Sequence, residues 1–424
     1  MSKRVVITGL GVAAPNGVGI SEFSHAIKNG ISGIRHDIQL EELQFSCQIA
    51  GKPEISEELK AQYFTELELR GFSSTGILYG VIAGIEAWKN AGLPIEINDD
   101  PDWDSGIIFG SGTSGIDKFR ESIYKIDELQ VRKLGSTVVA QTMNSGISAY
   151  LGGKLGLGNQ ITTNSSACST GTEAILMAYD RIQSGQAKRI LAGSTGDSGP
   201  YIWGGFDALR VCSSKYNDNP EKGSRPMSAS AAGFVPASGA GALVIEDLES
   251  ALERGAIIYA EILGGNVNSG GQRGNGSMTA PNSTAVQRCI TNAINNSGIS
   301  ATDIDAINGH LTATTKDSLE IENWTKALNR KGNDFPYINS LKSMTGHCLS
   351  AAGSIESIAA ILQIHEGFVF GNTNCDDLHP EITALIDPSK IPLKTVEISP
   401  NIIAKASFGF GDVNACIIFK KFKK

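Results

Sequence analysis

Short apolar runs of strand length alternate along the chain with longer segments whose apolar residues recur every three or four positions. The runs at 4–8, 105–109, 189–193 and 242–246 predict buried strands. Between them, the patterns at 74–90, 116–126 and 172–183 predict amphipathic helices. A polar, turn-rich stretch at 213–230 interrupts the cycle. It restarts with a strand at 257–263, a helix at 284–296, a strand at 304–308 and a helix at 317–328. Such alternation predicts helices layered on sheet, an α/β architecture.

One internal echo suggests that the cycle runs twice. The segments 171–185 and 353–367 both begin and end in glycine, and apolar residues match at Leu176/Ile358 and Ile182/Ile364. The expected division is a first half at 1–250 and a second at 251–424. A pseudo-twofold axis between them would bring the two helix starts together.

Composition narrows the function. With 424 residues and 41% hydrophobic content the chain can bury a large core, and its 49 glycines are dispersed without a period, as tight turns between packed elements would require. A net charge of −8 lacks the basic excess of a general nucleic-acid binder. Seven cysteines without paired spacing argue for a reducing compartment, and no apolar run reaches membrane-spanning length. The start Met1-Ser2-Lys3-Arg4 leads directly into a strand, so the expected location is cytoplasmic, with no membrane insertion.

The strongest chemical signal is Cys168, set among small residues where a strand-like stretch turns into the 172–183 helix. Free N–H groups at a helix start favour a thiolate, the nucleophilic form. Two histidines, His310 and His347, occupy Gly/Thr-rich settings in the second half. Competing motifs are weaker. Gly110-Ser111-Gly112-Thr113-Ser114-Gly115 and Gly9-Leu10-Gly11 imitate a dinucleotide fingerprint but lack its context, and both read as tight strand-to-helix turns. No ligand-spaced partner accompanies the histidines or Cys168, so no metal is expected. The spacing around Ser114 does not make a nucleophile elbow.

A helix-terminal thiolate can take an acyl group from a thioester, with the Cys168 N–H and a second N–H from the glycine-rich 406–411 loop as oxyanion donors. Two histidines suit a second carbonyl. Their N–H groups aimed at a thioester enolate would lower the barrier to forming it, and the resulting chemistry is Claisen carbon–carbon bond formation.

At this point the residues resemble a known family. The opening 4–11, the 110–112 turn, Ala167-Cys168-Ser169-Thr170-Gly171, the 217–226 loop, Met278-Thr279-Ala280-Pro281, His310, Lys342-Ser343-Met344-Thr345-Gly346-His347 and Ser407-Phe408-Gly409-Phe410-Gly411 are together similar to the elongating, type II beta-ketoacyl-acyl-carrier-protein synthases of the thiolase-fold superfamily. The resemblance implies a five-layered αβαβα fold of two pseudo-repeated halves and, as a rule, a homodimer. It implies that Cys168 carries the growing acyl chain, and that His310 and His347 assist decarboxylation of malonyl-carrier. Lys342 would support them electrostatically. Phe408 would be the gating phenylalanine, with its N–H in the oxyanion hole. Thr279, Thr312 and Thr314 would bind the phosphopantetheine arm, while Asp317 and Glu320 would form a supporting acidic pair. The partner would be an acyl carrier protein, which delivers the phosphopantetheine, so no cofactor belongs to the chain itself. Lys215 and Arg70 are candidates for docking that acidic carrier.

Departures from the family pattern cluster near the pocket: Leu311, expected to narrow or reshape the channel by Thr312, Ala231-Ala232, Ser238, Ser350 and Asp412-Val413. Three alternatives stay open. One is a specialised ketosynthase for a polyene or another secondary product. Another is a non-catalytic partner subunit resembling chain-length factors, which would make the dimer a heterodimer. The third is a thiolase, which would need a second cysteine; Cys416 lies in an apolar run and reads as core.

Overall fold

The strand Val5–Ala14 has all ten residues buried, as required of a strand covered on both faces. It lies in the interior of a mixed sheet in the computed structural model, which describes residues 3–95 and 99–423. From edge to edge the strands run Tyr337–Asn339, Ala306–Asn308, Ile402–Gly409, Val413–Lys420, Ala260–Ser269, Val5–Ala14, Gly239–Asp247, Arg189–Gly196, Ser105–Ser111 and Ile161–Thr162. Gly17–Val18 pairs with Val5–Ala14 and completes the eleven.

Alternating side chains on these strands separate three cores. On Gly239–Asp247, Leu243 and Ile245 enter a central core, while Ala242 and Val244 face the helix Thr75–Asn90. On Val413–Lys420, Ile417 and Phe419 enter the same central core. Cys416 and Ile418 instead face the helices Ser283–Asn296 and Asp317–Leu328. The helices Thr170–Gln183 and Ala352–Glu366 fill the centre. The layers therefore run helix, sheet, helix, sheet, helix, which is the expected αβαβα order. Pairing of Val5 with Ile262 joins the two sheet halves into one hydrogen-bonded sheet.

The two central helices echo each other locally. Each follows a short 3-10 turn, Ala167–Ser169 or Leu349–Ala351, that opens on a residue of positive φ, 49° at Ala167 and 51° at Leu349. Each ends at a left-handed glycine, Gly185 or Gly367. One sequence expectation fails here. Gly9 and Gly11 make no turn but lie inside the strand, because a Cβ at Gly11 would fall 2.0 Å from the Ala83 carbonyl oxygen of the covering helix. They are sites of close backbone approach. The 110–115 run does end in a turn, with Gly115 at φ 62° opening the helix Ile116–Asp127.

Candidate active site

The fold brings Cys168, His310 and His347 together from three separate elements. Cys168 sits in the turn before Thr170–Gln183, His310 follows the strand Ala306–Asn308, and His347 follows the short helix Lys342–Thr345. The sulfur and an imidazole nitrogen of each histidine lie within 4.8 Å of one another. The imidazole rings stand edge to face at 5.3 Å between centroids.

Hydrogen bonding fixes how the histidines present themselves. Nδ1 of His347 accepts the Leu349 N–H at 3.2 Å, and Nδ1 of His310 faces the Lys342 ammonium at 3.5 Å. With Nδ1 engaged as acceptor, each neutral ring carries its proton on Nε2. Burial, then the nearby ammonium of Lys342, holds both histidines well below the usual imidazole range. At neutral pH the site holds two neutral N–H donors, suited to stabilising an oxyanion and poorly suited to donating a full proton.

Cys168 departs from the simple helix-terminus argument. Burial pushes its thiol up to about 11, opposed by the Lys342 ammonium and by the backbone N–H groups of Phe410 and Cys168 itself. Desolvation outweighs the helix start in the free site.

The same contacts correct the expected oxyanion residue. The loop amide that reaches the Cys168 sulfur is that of Phe410. Phe408 is held in the strand ladder opposite Asn414, with its ring edge-on to His310 at 6.1 Å. The Ser407-Phe408-Gly409-Phe410-Gly411 sequence offers two phenylalanines, and only the strand register tells them apart.

Lys342 is 1% exposed and donates to the His310 carbonyl at 2.6 Å and to Glu356. Glu356, on Ala352–Glu366, is absent from the sequence-derived site because nothing local marks one acid in a helix. Asp317 and Glu320 work on the backbone of the histidine loop. Asp317 accepts the N–H groups of Met227, Thr312, Ala313 and Thr314, and Glu320 those of His310 and Leu311, both at 2.7 Å. Burial pushes Asp317 up to about 6 and Glu320 up to about 7.

A cavity of about 290 Å³ opens onto the three residues, with Thr279, Thr312 and Thr314 on its wall. The hydroxyls of Thr312 and Thr314 lie 3.0 Å apart. One side of the cavity is aromatic. Phe206 meets Phe234 at 5.6 Å and Phe410 at 6.0 Å, and Phe234 meets His347 at 5.2 Å. Phe206 comes from the helix Pro200–Ala208, where no motif signals it. Leu311 overturns an expectation: it is fully buried in the core against Asp317–Leu328 and does not narrow the channel. Lys215 and Arg70 are exposed and outside the cavity wall.

Family models agree with this geometry. Residues 2–251 match the beta-ketoacyl synthase N-terminal domain and residues 259–376 the beta-ketoacyl synthase C-terminal domain. The chain belongs to the beta-ketoacyl synthase family. With the Cys–His–His cluster in place, this family member is a condensing, carbon–carbon bond-forming enzyme of the ketoacyl synthase or polyketide ketosynthase type. It is 31% identical to the chloroplastic 3-oxoacyl-[acyl-carrier-protein] synthase I of Arabidopsis thaliana, over 99% of this chain and 87% of that protein. Two solved structures superpose over all of both chains at a TM-score of 0.88. One, at 28% identity, is a type II PKS acyl-carrier protein in complex with its ketosynthase bound to the hexaketide; the other, at 25%, is the ishigamide ketosynthase/chain length factor. Among the described residues, no helix of this synthase is long and apolar enough to cross a membrane.

Proposed function

We propose that the protein is a specialised ketosynthase that extends a conjugated or otherwise planar acyl chain on an acyl carrier protein. The observation that carries this reading is the aromatic wall of Phe206, Phe234 and Phe410, which runs from the amide facing Cys168 to the ring of His347. Flat π-systems stack on such rings in offset or edge-to-face geometry, whereas a saturated chain gains only area. The likeness to polyketide-type ketosynthases supports the same reading.

In this reading the Cys168 sulfur attacks the acyl-carrier thioester and expels the carrier thiol. The N–H groups of Cys168 and Phe410 hold the tetrahedral oxyanion. Malonyl-carrier then enters with its pantetheine arm along Thr279, Thr312 and Thr314. Carbon dioxide leaves, and the enolate oxygen accepts the Nε2–H groups of His310 and His347. The enolate carbon attacks the Cys168 thioester, sulfur departs, and a beta-ketoacyl-carrier remains. Lys342 orients His310, Asp317 and Glu320 fix its loop, and Lys215 and Arg70 receive the acidic carrier. The halves 1–250 and 251–424 would contribute the cysteine and the histidines. The reading includes a homodimer or a heterodimer with a related subunit, and a reducing, cytoplasmic home suited to a free thiol.

Ordinary fatty-acid elongation is the second reading, favoured by the 31% identity to a 3-oxoacyl-[acyl-carrier-protein] synthase. Intact mass after incubation with saturated, unsaturated and aryl acyl-carriers, followed by malonyl-carrier, separates the two. An adduct absent from Cys168→Ala, fastest with unsaturated or aryl chains and discharged as beta-ketoacyl-carrier, is expected. Equal or better turnover of saturated chains would favour elongation, and no adduct in folded protein would favour a non-catalytic partner subunit.

A further inference from the structure

Behind the histidines lies a second buried lysine that the chemistry above does not use. Lys405, on the strand Ile402–Gly409, is fully buried. It shares the strand face of Ile403 and Ser407, which looks into the central helical layer. Its ammonium lies 2.6 Å from Oε2 of Glu356 and donates to Ser407 Oγ at 3.0 Å and to the Ala406 carbonyl. Oε1 of the same carboxylate accepts from Lys342. Two ammonium groups thus share one carboxylate, and all three side chains are withdrawn from water.

Stability does not account for this arrangement. A buried ion pair seldom outperforms apolar residues of the same volume, and a second cation beside an already paired carboxylate adds another desolvation cost. Buried charge maintained at such cost, next to reacting groups, is a mark of function. The charged and titratable groups around the imidazoles come from every neighbouring element. They are Lys342 and Glu356, Lys405, Cys168, and Glu320 with Asp317 behind the His310 loop. Only the two lysines are cationic groups; burial lowers the pKa of the Lys405 ammonium, and the Glu356 carboxylate opposes that.

We propose that Lys405 is a positioning residue whose ammonium outweighs Glu356 and holds positive charge behind Cys168, His310 and His347, as an anionic sulfur and an enolate oxygen require. Lys342 alone would be cancelled by Glu356. With Lys405 present, the carboxylate is shared and the Lys342 charge remains effective at the His310 ring and at the sulfur. Both histidines feel the Lys405 ammonium after burial and Lys342, in the direction that keeps them neutral.

The use of this charge rests on the condensing reading above, but its existence can be tested without substrate. Iodoacetamide alkylation of Cys168, followed by peptide mass at one alkaline pH, is compared across wild type, Lys405→Met, Glu356→Gln and the double variant, each checked for folding by thermal melting. Removing Lys405 is expected to slow alkylation about tenfold, the effect of one unit of thiol pKa. The slowing should occur both in wild type and in the Glu356→Gln background. The second comparison leaves no orphan carboxylate, so it stands even where Lys405→Met alone does not fold. In ¹³C-histidine spectra His310 and His347 should begin to titrate at higher pH in Lys405→Met. A purely structural lysine would loosen the pocket, giving unchanged or faster alkylation in folded protein, and that result overturns the proposal. Normal slowing with no condensation of any acyl-carrier would instead count against the functional reading alone.

Discussion

Gly171 and Gly353 stand back to back where the two central helices cross. A Cβ on Gly171 would lie 2.4 Å from the Ser354 nitrogen, and one on Gly353 would lie 2.5 Å from the Thr172 nitrogen. The contact is reciprocal, as a local twofold between the two helix starts demands. It also sets how closely the cysteine turn and the turn after His347 approach each other. Backbone atoms oppose the added methyl in both cases, so neither side can yield by a rotamer change. Gly171→Ala and Gly353→Ala should each cost about 1–3 kcal/mol by overpacking. The expected result is a lower denaturant midpoint at unchanged slope.

That contact shows which parts of the molecule were legible in the sequence. Apolar periodicity marks the helix at 172–183, and the glycine-bounded echo of 171–185 in 353–367 points to the second, because helix faces are written locally. The small residues around Cys168 and the two histidine motifs marked the reacting groups for the same reason. Partners supplied by register or by another layer were not legible. Phe408 and Phe410 are equivalent in the string and distinguished only by where the strand ladder ends. Glu356 and Lys405 look like any acid in a helix and any lysine near a terminus until the fold turns both inward. A leucine beside His310 suggests a narrowed or reshaped channel by Thr312, but the backbone there, at φ 20°, turns its side chain into the core.

The tautomers of the histidines make a kinetic prediction. If both act as Nε2–H donors to the enolate, His347→Ala removes one donor and leaves Cys168 and its oxyanion amides in place. Condensation should fall by about 10²–10³, while formation of the Cys168 acyl adduct continues. Rapid quench with separate measurement of adduct and product distinguishes the two steps. Equal loss in both would assign His347 to acylation instead.

Asp412 couples the two loops that border the cavity mouth. It is 1% exposed at φ 61°, and its carboxylate accepts the N–H of Gln272 at 3.0 Å and of Asn282 at 2.8 Å. The facing loop carries Thr279, and Gly411 donates to the Met278 carbonyl at 2.8 Å. Asp412→Asn keeps a residue tolerant of positive φ but turns one acceptor into a donor opposed to an N–H. A loss of about 1–3 kcal/mol is expected, together with faster proteolysis within 270–282. Unchanged cleavage there would mean that the loop is held by other contacts.

Glu320 gives the pH prediction its sign. Its carboxyl is pushed up to about 7 by burial, against an ordinary value of 4.5, so the folded state favours the protonated form. The stability from this preference is fully present below the unfolded value and is lost as pH rises through about 7. The side chain also receives the His310 and Leu311 N–H groups on its two oxygens. Glu320→Gln must therefore oppose an N–H with its own amide donor, and it should destabilise the protein by about 1–3 kcal/mol at low pH. Glutamine does not titrate, so the penalty relative to wild type should shrink from pH 5 to pH 8. Urea unfolding of both proteins across that range measures the difference. A penalty that grows with pH would mean that the ionised carboxylate, held by its backbone donors, is the form the fold prefers.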